Sequence, residues 1–553
     1  MKRNKYLLLI SSLGCLALLA TAAARENVFK HWRRIQASAH TEAGPVEVRL
    51  RQIVVPGLRT ADRCVTCHVG MAPGEAGISG SQTVAPHKPV GHDPADFGCT
   101  VCHGGQGFAT EQDDAHGDVH FWPTPLIPAR YAYAGCGSCH THVRVPNAAA
   151  LERGRNLFQS LDCLACHRLD GRGGTLRVGG VGGMEGPDLS RAGAAGYDTG
   201  WYEEHLANSQ VEAEEVWKTS FEALNPAARA DLEVFLDSRA GAPGLVEAKA
   251  LFHSLGCRGC HKVNGVGGDD GPDLTRAGER DPGRTDFSRV PGEPTLANWF
   301  AEHFRDPAKV VPGSAMPALG LSEEQIEGLT FYTLSLRHSL FPEAYWPKDR
   351  IRAERFGERE FATDGATLYG TFCAACHGQN GEGRAYPDMP IFPAVANKDF
   401  LSLATDEFLS ATVTHGRPGR RMPAWGEKEG GLRRDEIKSV VEYVRALGGG
   451  TKPVHDPKPA RWVTADPEAG RRLFGAHCAG CHGAAGQGVD AVALNNRVLL
   501  AAATDTYLLE TIRRGRRGTR MQSFEEPSTT HPALSPGEIE SLVSFIRSWE
   551  QQP

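Results

Sequence analysis

Apolar positions along this 553-residue chain fall into three regimes. From Tyr6 to Ala24 they run almost unbroken behind a basic head, Met1-Lys-Arg-Asn-Lys5, the pattern of a secretory leader or of a helix retained in a membrane. From 25 to 147 there is little helical periodicity, and Gly, Pro and His are frequent. Beyond 148 a longer pattern recurs four times. Each repeat opens on Gly-x-x-Leu-aromatic: Gly154 to Phe158, Ala248 to Phe252 with alanine in first place, Gly365 to Tyr369, and Gly470 to Phe474. Each closes on a second amphipathic stretch carrying Phe235, Tyr332, Tyr443 or Phe545, so the spacing predicts pairs of helices packed on small and aromatic residues. Proline and glycine-rich joints at 240–244, 341–347 and 448–459 separate the repeats. The expected divisions are 1–24 (leader or anchor), 25–147 (an irregular module), then 148–242, 243–345, 346–452 and 453–553.

The cysteines change the picture. All but Cys15 fall in seven Cys-x-x-Cys-His pentapeptides: Cys64, Cys67 and His68; Cys99, Cys102 and His103; Cys136, Cys139 and His140; Cys163, Cys166 and His167; Cys257, Cys260 and His261; Cys373, Cys376 and His377; Cys478, Cys481 and His482. Two thiols three positions apart can each add to one vinyl group of the same porphyrin, and the adjacent histidine then lies under the iron as its proximal ligand. A zinc site or a redox dithiol explains one such match, not seven that are each followed by histidine. A disulfide framework is not needed in a chain of this length. The reading is therefore seven covalently attached c-type haems. Their attachment on the outer side of a bacterial membrane agrees with an exported, periplasmic protein. Retention of the N-terminal segment as an anchor is slightly favoured over cleavage, with Trp32, Arg33 and Arg34 suited to the membrane surface. Cys15, in Ser12-Leu-Gly-Cys15, makes a poor lipoprotein signal. The formal charge of -6 becomes more negative once haem propionates are counted, which argues against nucleic acid as a partner.

The four repeats resemble class I monohaem cytochrome c, over about the last four hundred residues. The fold class expected is mainly α, an irregular three-haem module followed by four class I cytochrome c-like helical domains. In that family a methionine between the haem motif and the last helix supplies the sixth iron ligand. The resemblance assigns this role to Met316 in Ser-Ala-Met-Pro, to Met422 in Gly-Arg-Pro-Gly-Arg-Arg-Met-Pro-Ala-Trp and to Met521 in Gly-Arg-Arg-Gly-Thr-Arg-Met. The 148–242 domain departs from the pattern: Trp217-Lys-Thr-Ser-Phe221 lacks a methionine, and its only one, Met184, comes early, before Gly186-Pro-Asp-Leu189. His205 has a counterpart, His303, in a domain that already holds Met316, so a shared structural role is the better reading. The sixth ligand of this haem stays unassigned, and an open iron is one alternative.

Three haem motifs within 64–140 leave too little chain to bury three porphyrins separately, so their haems are expected to touch. Spare histidines point to bis-histidine ligation by His92, His116 and His87, with His120 and His142 behind them. The run Phe97-Gly-Cys-Thr-Val-Cys-His-Gly-Gly-Gln-Gly107, with Ala115-His-Gly117, resembles multihaem subunits that accompany bacterial Rieske and cytochrome b complexes, and the resemblance implies such a partner.

Methionine favours ferrous iron relative to a second imidazole, so the N-terminal cluster is expected at low potential and the last three domains at high potential. Electrons would enter from a membrane quinol-oxidising or cytochrome b complex and leave to a soluble redox protein or oxidase in a respiratory chain. The rival reading is a haem-based reductase or oxidase subunit using the 148–242 iron, but no cluster of acids and bases attends it. An electron carrier is therefore preferred to an enzyme. Arg417, Arg420, Arg421, Arg513, Arg514, Arg516, Arg517 and Arg520 crowd the last two methionine loops, either as a docking face for an acidic partner or as partners of haem propionates.

Overall fold

The computed structural model describes the chain except residues 1, 73–76, 79–81, 88–89, 143, 174–185, 196–198, 208–223, 241, 243, 339–340, 388 and 552–553. Packing divides it into two units, one of residues 1–141, 278–298 and 334–351, the other of 142–277, 299–333 and 352–553. Residues 278–298 and 334–351 thus pack with the N-terminal module although the first lies within the second repeat and the second covers its end.

The first unit begins with the helix Lys2–Asn27, whose large apolar side chains from Tyr6 to Leu19 are exposed. Its 26 residues, at ~1.5 Å each, exceed the ~30 Å of a bilayer core. Beyond it, regular structure is sparse. Two short antiparallel pairs join His40–Thr41 to Gly44–Pro45 and Ile53–Val55 to Thr60–Asp62. Apolar cores are correspondingly small: Ala39, Val46, Val69, Ile78 and Val84 form one, and Ile53, Val55, Leu58 and Val65 another. Polar contacts do more of the ordering here. The buried Asp62 carboxylate accepts from the Cys99 amide, from the Thr100 amide at 3.1 Å and from the Thr100 hydroxyl at 2.7 Å, so it caps the second haem motif. The chain then turns at Gly104 and Gly105, whose φ of 72° and 83° suit glycine. A side chain at Gly105 would place its Cβ 2.5 Å from the Ala115 carbonyl oxygen.

The second unit is built from helix pairs. In each repeat the leading helix crosses the closing helix: Ala148–Ser160 on Pro226–Asp237, Leu245–Ser254 on Glu323–Ser335, Gly365–Phe372 on Arg434–Leu447, and Pro467–His477 on Pro536–Ser548. The small residue of each stripe explains the close approach. A Cβ at Gly154 would lie 2.0 Å from the Asp231 carbonyl, at Gly365 2.2 Å from that of Ser439, and at Gly470 1.9 Å from that of Ser541. The aromatic residue four positions on then meets its partner, with ring centroids 5.3 Å apart for Phe158 and Phe235, 4.8 Å for Phe252 and Tyr332, 5.5 Å for Tyr369 and Tyr443, and 5.4 Å for Phe474 and Phe545. Each such pair adds ~0.5–1.5 kcal/mol to the area it buries. One apolar core joins the first, third and fourth repeats, from Val145 to Trp549, and takes in Ala250 of the second.

The last two repeats pack on one another with approximate twofold symmetry. Phe408 and Tyr507, equivalent positions in the two repeats, face each other at 4.7 Å. The side-chain amide of Asn397 donates to the Arg517 carbonyl at 3.0 Å, and its equivalent Asn496 donates to the Pro418 carbonyl at 3.1 Å.

Candidate haem sites

All seven Cys-x-x-Cys-His motifs adopt the same helical turn. In each, the histidine amide donates to the carbonyl of the first cysteine at 2.9 or 3.0 Å. Positions three and four apart share a face in such a turn, so both thiols and the imidazole can serve one ligand. None of these cysteines is in a disulfide.

Four of the histidines share a second device. Nδ1 of His167 lies 3.0 Å from the Pro187 carbonyl, that of His261 2.8 Å from Pro272, that of His377 2.8 Å from Pro393, and that of His482 2.8 Å from Val492. A carbonyl only accepts, so Nδ1 carries the proton and the Nε2 lone pair is left for iron. Burial lowers the pKa of His68, His103, His140, His261, His377 and His482, favouring the neutral imidazole that metal binding requires. Sequence reasoning missed these carbonyl partners. The repeated Gly-Pro-Asp-Leu segments at 186 and 271 were the one signal available for two of them.

In the first unit the spare histidines sit opposite motif histidines. The His87 and His103 ring centroids are 6.0 Å apart, and those of His92 and His140 are 6.1 Å apart. Two metal–imidazole bonds of ~2 Å with the ring half-widths added span about 6 Å, the separation that two imidazoles on one iron would require. His116 is near enough to His68 to lower its pKa through charge, after the larger effect of burial. His120 is exposed against Phe121, and His142 lies 3.7 Å from Glu354. Asp62, two residues before Cys64, accepts from the Cys99 amide, so the first two motifs adjoin.

In the last two repeats the methionine loops are closed by one design. Arg417 N donates to the Met422 carbonyl at 2.8 Å, and Arg516 N to the Met521 carbonyl at 2.7 Å. Each turn starts at a glycine, Gly416 or Gly515, with φ of 60° or 66°, and both methionines pack partly buried against the core. Met316 is also partly buried, and its amide is held by the Ser314 hydroxyl at 3.2 Å. Met184 and the Trp217–Phe221 segment lie outside the described residues, as does the His205 side chain.

Most loop arginines have partners within the chain. Arg421 pairs with Asp270, Arg513 with Glu510 and Glu525, Arg514 with Glu510, and Arg517 with Asp399. Arg516 donates to the Tyr507 hydroxyl at 2.7 Å. Half-buried Arg417 donates to the Thr412 hydroxyl at 2.8 Å, and desolvation pulls its pKa down to about 10.

Helix pairs crossing at glycine, with thiol-bearing turns whose histidines are held by backbone carbonyls, define the c-type cytochrome class. Family models agree: one described as cytochrome c matches residues 245–337 and 467–550, and one described as cytochrome c oxidase, cbb3-type, subunit III matches 360–444. The chain is a multihaem c-type cytochrome, and its cytochrome c domains imply covalently bound haem. The cbb3-type cytochrome c oxidase subunit FixP of Bradyrhizobium diazoefficiens is 31% identical to it over 194 residues, covering 33% of this chain and 59% of the relative. Subunit CcoP of Azospirillum brasilense is 33% identical over 143 residues, covering 25% and 42%. The chain thus spans less than two thirds of these relatives. The reducing HAO-like protein complex of Kuenenia stuttgartiensis aligns at 20% identity with a TM-score of 0.25, covering 34% of this chain and 96% of that one.

Proposed function

We propose that the chain carries seven c-type haems, one at each motif, and conducts electrons from a quinol-linked donor at the bacterial inner membrane to a soluble periplasmic acceptor. Each haem, when bound, supplies a one-electron iron couple whose potential is set by its axial ligands. The chain's residues divide six of the seven sites into two classes, the site at His167 having no assigned second ligand. His68, His103 and His140 are paired with His116, His87 and His92, while His261, His377 and His482 are paired with Met316, Met422 and Met521. The first class lies in the unit that carries the apolar helix Lys2–Asn27, so electrons enter there, near the membrane. The observation that carries the reading is the contrast between imidazoles facing imidazoles at 6.0 and 6.1 Å and the hairpins presenting Met422 and Met521. The cbb3-type oxidase relatives favour a place beside a membrane-bound respiratory complex.

Haem count and ligand class test this together. The intact mass of the purified protein should equal the polypeptide plus seven haems, and low-temperature spectra should show both bis-histidine and methionine–histidine ferric signals. Fewer haems, or a single ligand class, would overturn it.

A further inference from the structure

A buried ion cluster binds the second and third repeats. Glu360, just ahead of the third repeat's leading helix, is 11% exposed and reaches two cations of the second repeat: Lys249 Nζ at 2.7 Å and Arg258 Nη2 at 2.5 Å. Lys249 and Arg258 are 4% and 0% exposed at their side chains. Arg258 also donates to the Val263 carbonyl at 2.9 Å, and its guanidinium lies over the Phe361 ring at 5.5 Å. Burial by itself would raise the pKa of Glu360, but Lys249, Arg258 and His253 outweigh it and hold the carboxyl well below the usual range. Three buried charges in one seam are costly to desolvate unless all are paired, so their presence needs a reason.

The reason lies one residue away. Arg258 stands between the two cysteines of the Cys257 to His261 motif. Beside the cluster that motif abuts the next one: the turn at Cys257 packs on the helix Gly365–Phe372 and on the turn Ala374–His377 that follows it. Glycine makes the approach possible, since a Cβ at Gly256 would lie 2.9 Å from the Ala375 Cβ, and one at Gly259 3.1 Å from the Phe372 carbonyl oxygen. Further contacts frame the same seam: Gly267 N donates to the Gly430 carbonyl at 3.1 Å, and Asp270 pairs with Arg421.

We propose that Glu360 is the clasp of a coupled haem pair: by pairing with Lys249 and Arg258 at once it holds the two attachment turns against one another, so that haems held at Cys260 and Cys376 would be close enough to exchange a single electron. No bond is made or broken in that exchange. The inference rests on haem attachment at residues 257–261 and 373–377. Glu360 acts through the docking of the two domains, as a positioning residue.

The test uses the full-length holoprotein and the Glu360→Ala variant. Haem per chain, measured by pyridine haemochrome, checks attachment. Circular dichroism in the Soret band then reads coupling, because two nearby porphyrins give a bisignate signal. The expected result is unchanged haem content with a bisignate wild-type-minus-variant difference spectrum, from loss of one coupled pair. Unchanged haem content with a flat difference spectrum would overturn the proposal. If Glu360→Ala does not mature, Glu360→Gln, which keeps the side-chain volume but removes the charge, is read in the same way. A haem content below seven in the wild type would count against the attachment reading, whatever the Soret signal shows.

Discussion

In the last repeat, Phe474, Leu542, Val543 and Ile546 are all at most 3% exposed and form a helix crossing that would be recognisable without its cofactor. In the N-terminal unit, the apolar clusters among the described residues are as small as five and four residues, beside three haem motifs. The difference teaches how protein and cofactor divide the work. On the proposed seven-haem reading, each haem of the helical repeats would be a guest in a protein core, whereas in the first unit the haems would make up most of the core. The proposed ligands follow the same contrast, histidines in the sparse unit and methionine hairpins in the helical repeats.

Ligand exchange should break the comparison most visibly. Replacing His87 with Met is expected to raise the potential of one N-terminal haem on the order of 0.1 V, part of the ~0.8 V range that axial ligation spans. Met422→His should lower one C-terminal potential by a similar amount. Spectroelectrochemical titration measures both.

Packing comes next. Gly470→Val forces a side chain into the Ser541 carbonyl and should cost ~3 kcal/mol in the stability of the last domain, read by denaturant unfolding followed at the haem. In the first unit the matching lesion is polar. Asp62→Ala leaves the Cys99 and Thr100 amides unpaired and should cost about 2–3 kcal/mol. It should also disturb the second haem more than its neighbours.

The smallest effect concerns salt. With Arg421, Arg513, Arg514 and Arg517 already paired inside the chain, transfer to an acidic acceptor should slow less than threefold between low and physiological ionic strength. Stopped-flow rates check this, and a tenfold fall would restore the arginine loops as a docking face.

The helix crossings were legible because Gly154, Gly365, Gly470 and their aromatic partners repeat at fixed spacing. The turns were legible because covalent attachment fixes residue type. The carbonyls of Pro187, Pro272, Pro393 and Val492 were not, since a backbone acceptor works with any side chain and lies ten to twenty residues beyond its histidine. Glu360 was hidden for another reason. It precedes the third repeat's leading helix, outside the repeating pattern, and only tertiary packing brings it to Lys249 and Arg258. The inclusion of 278–298 and 334–351 in the first unit is likewise a tertiary fact with no local pattern behind it.

The most direct test of electron flow from the membrane-side cluster to the methionine-bearing repeats is a redox titration of the full-length protein followed by low-temperature electron paramagnetic resonance, which separates bis-histidine from methionine–histidine ferric haems. The bis-histidine signals should disappear at lower potentials than the methionine–histidine signals as the protein is reduced. Bis-histidine signals that are reduced first, at the higher potentials, would contradict the proposed direction of flow.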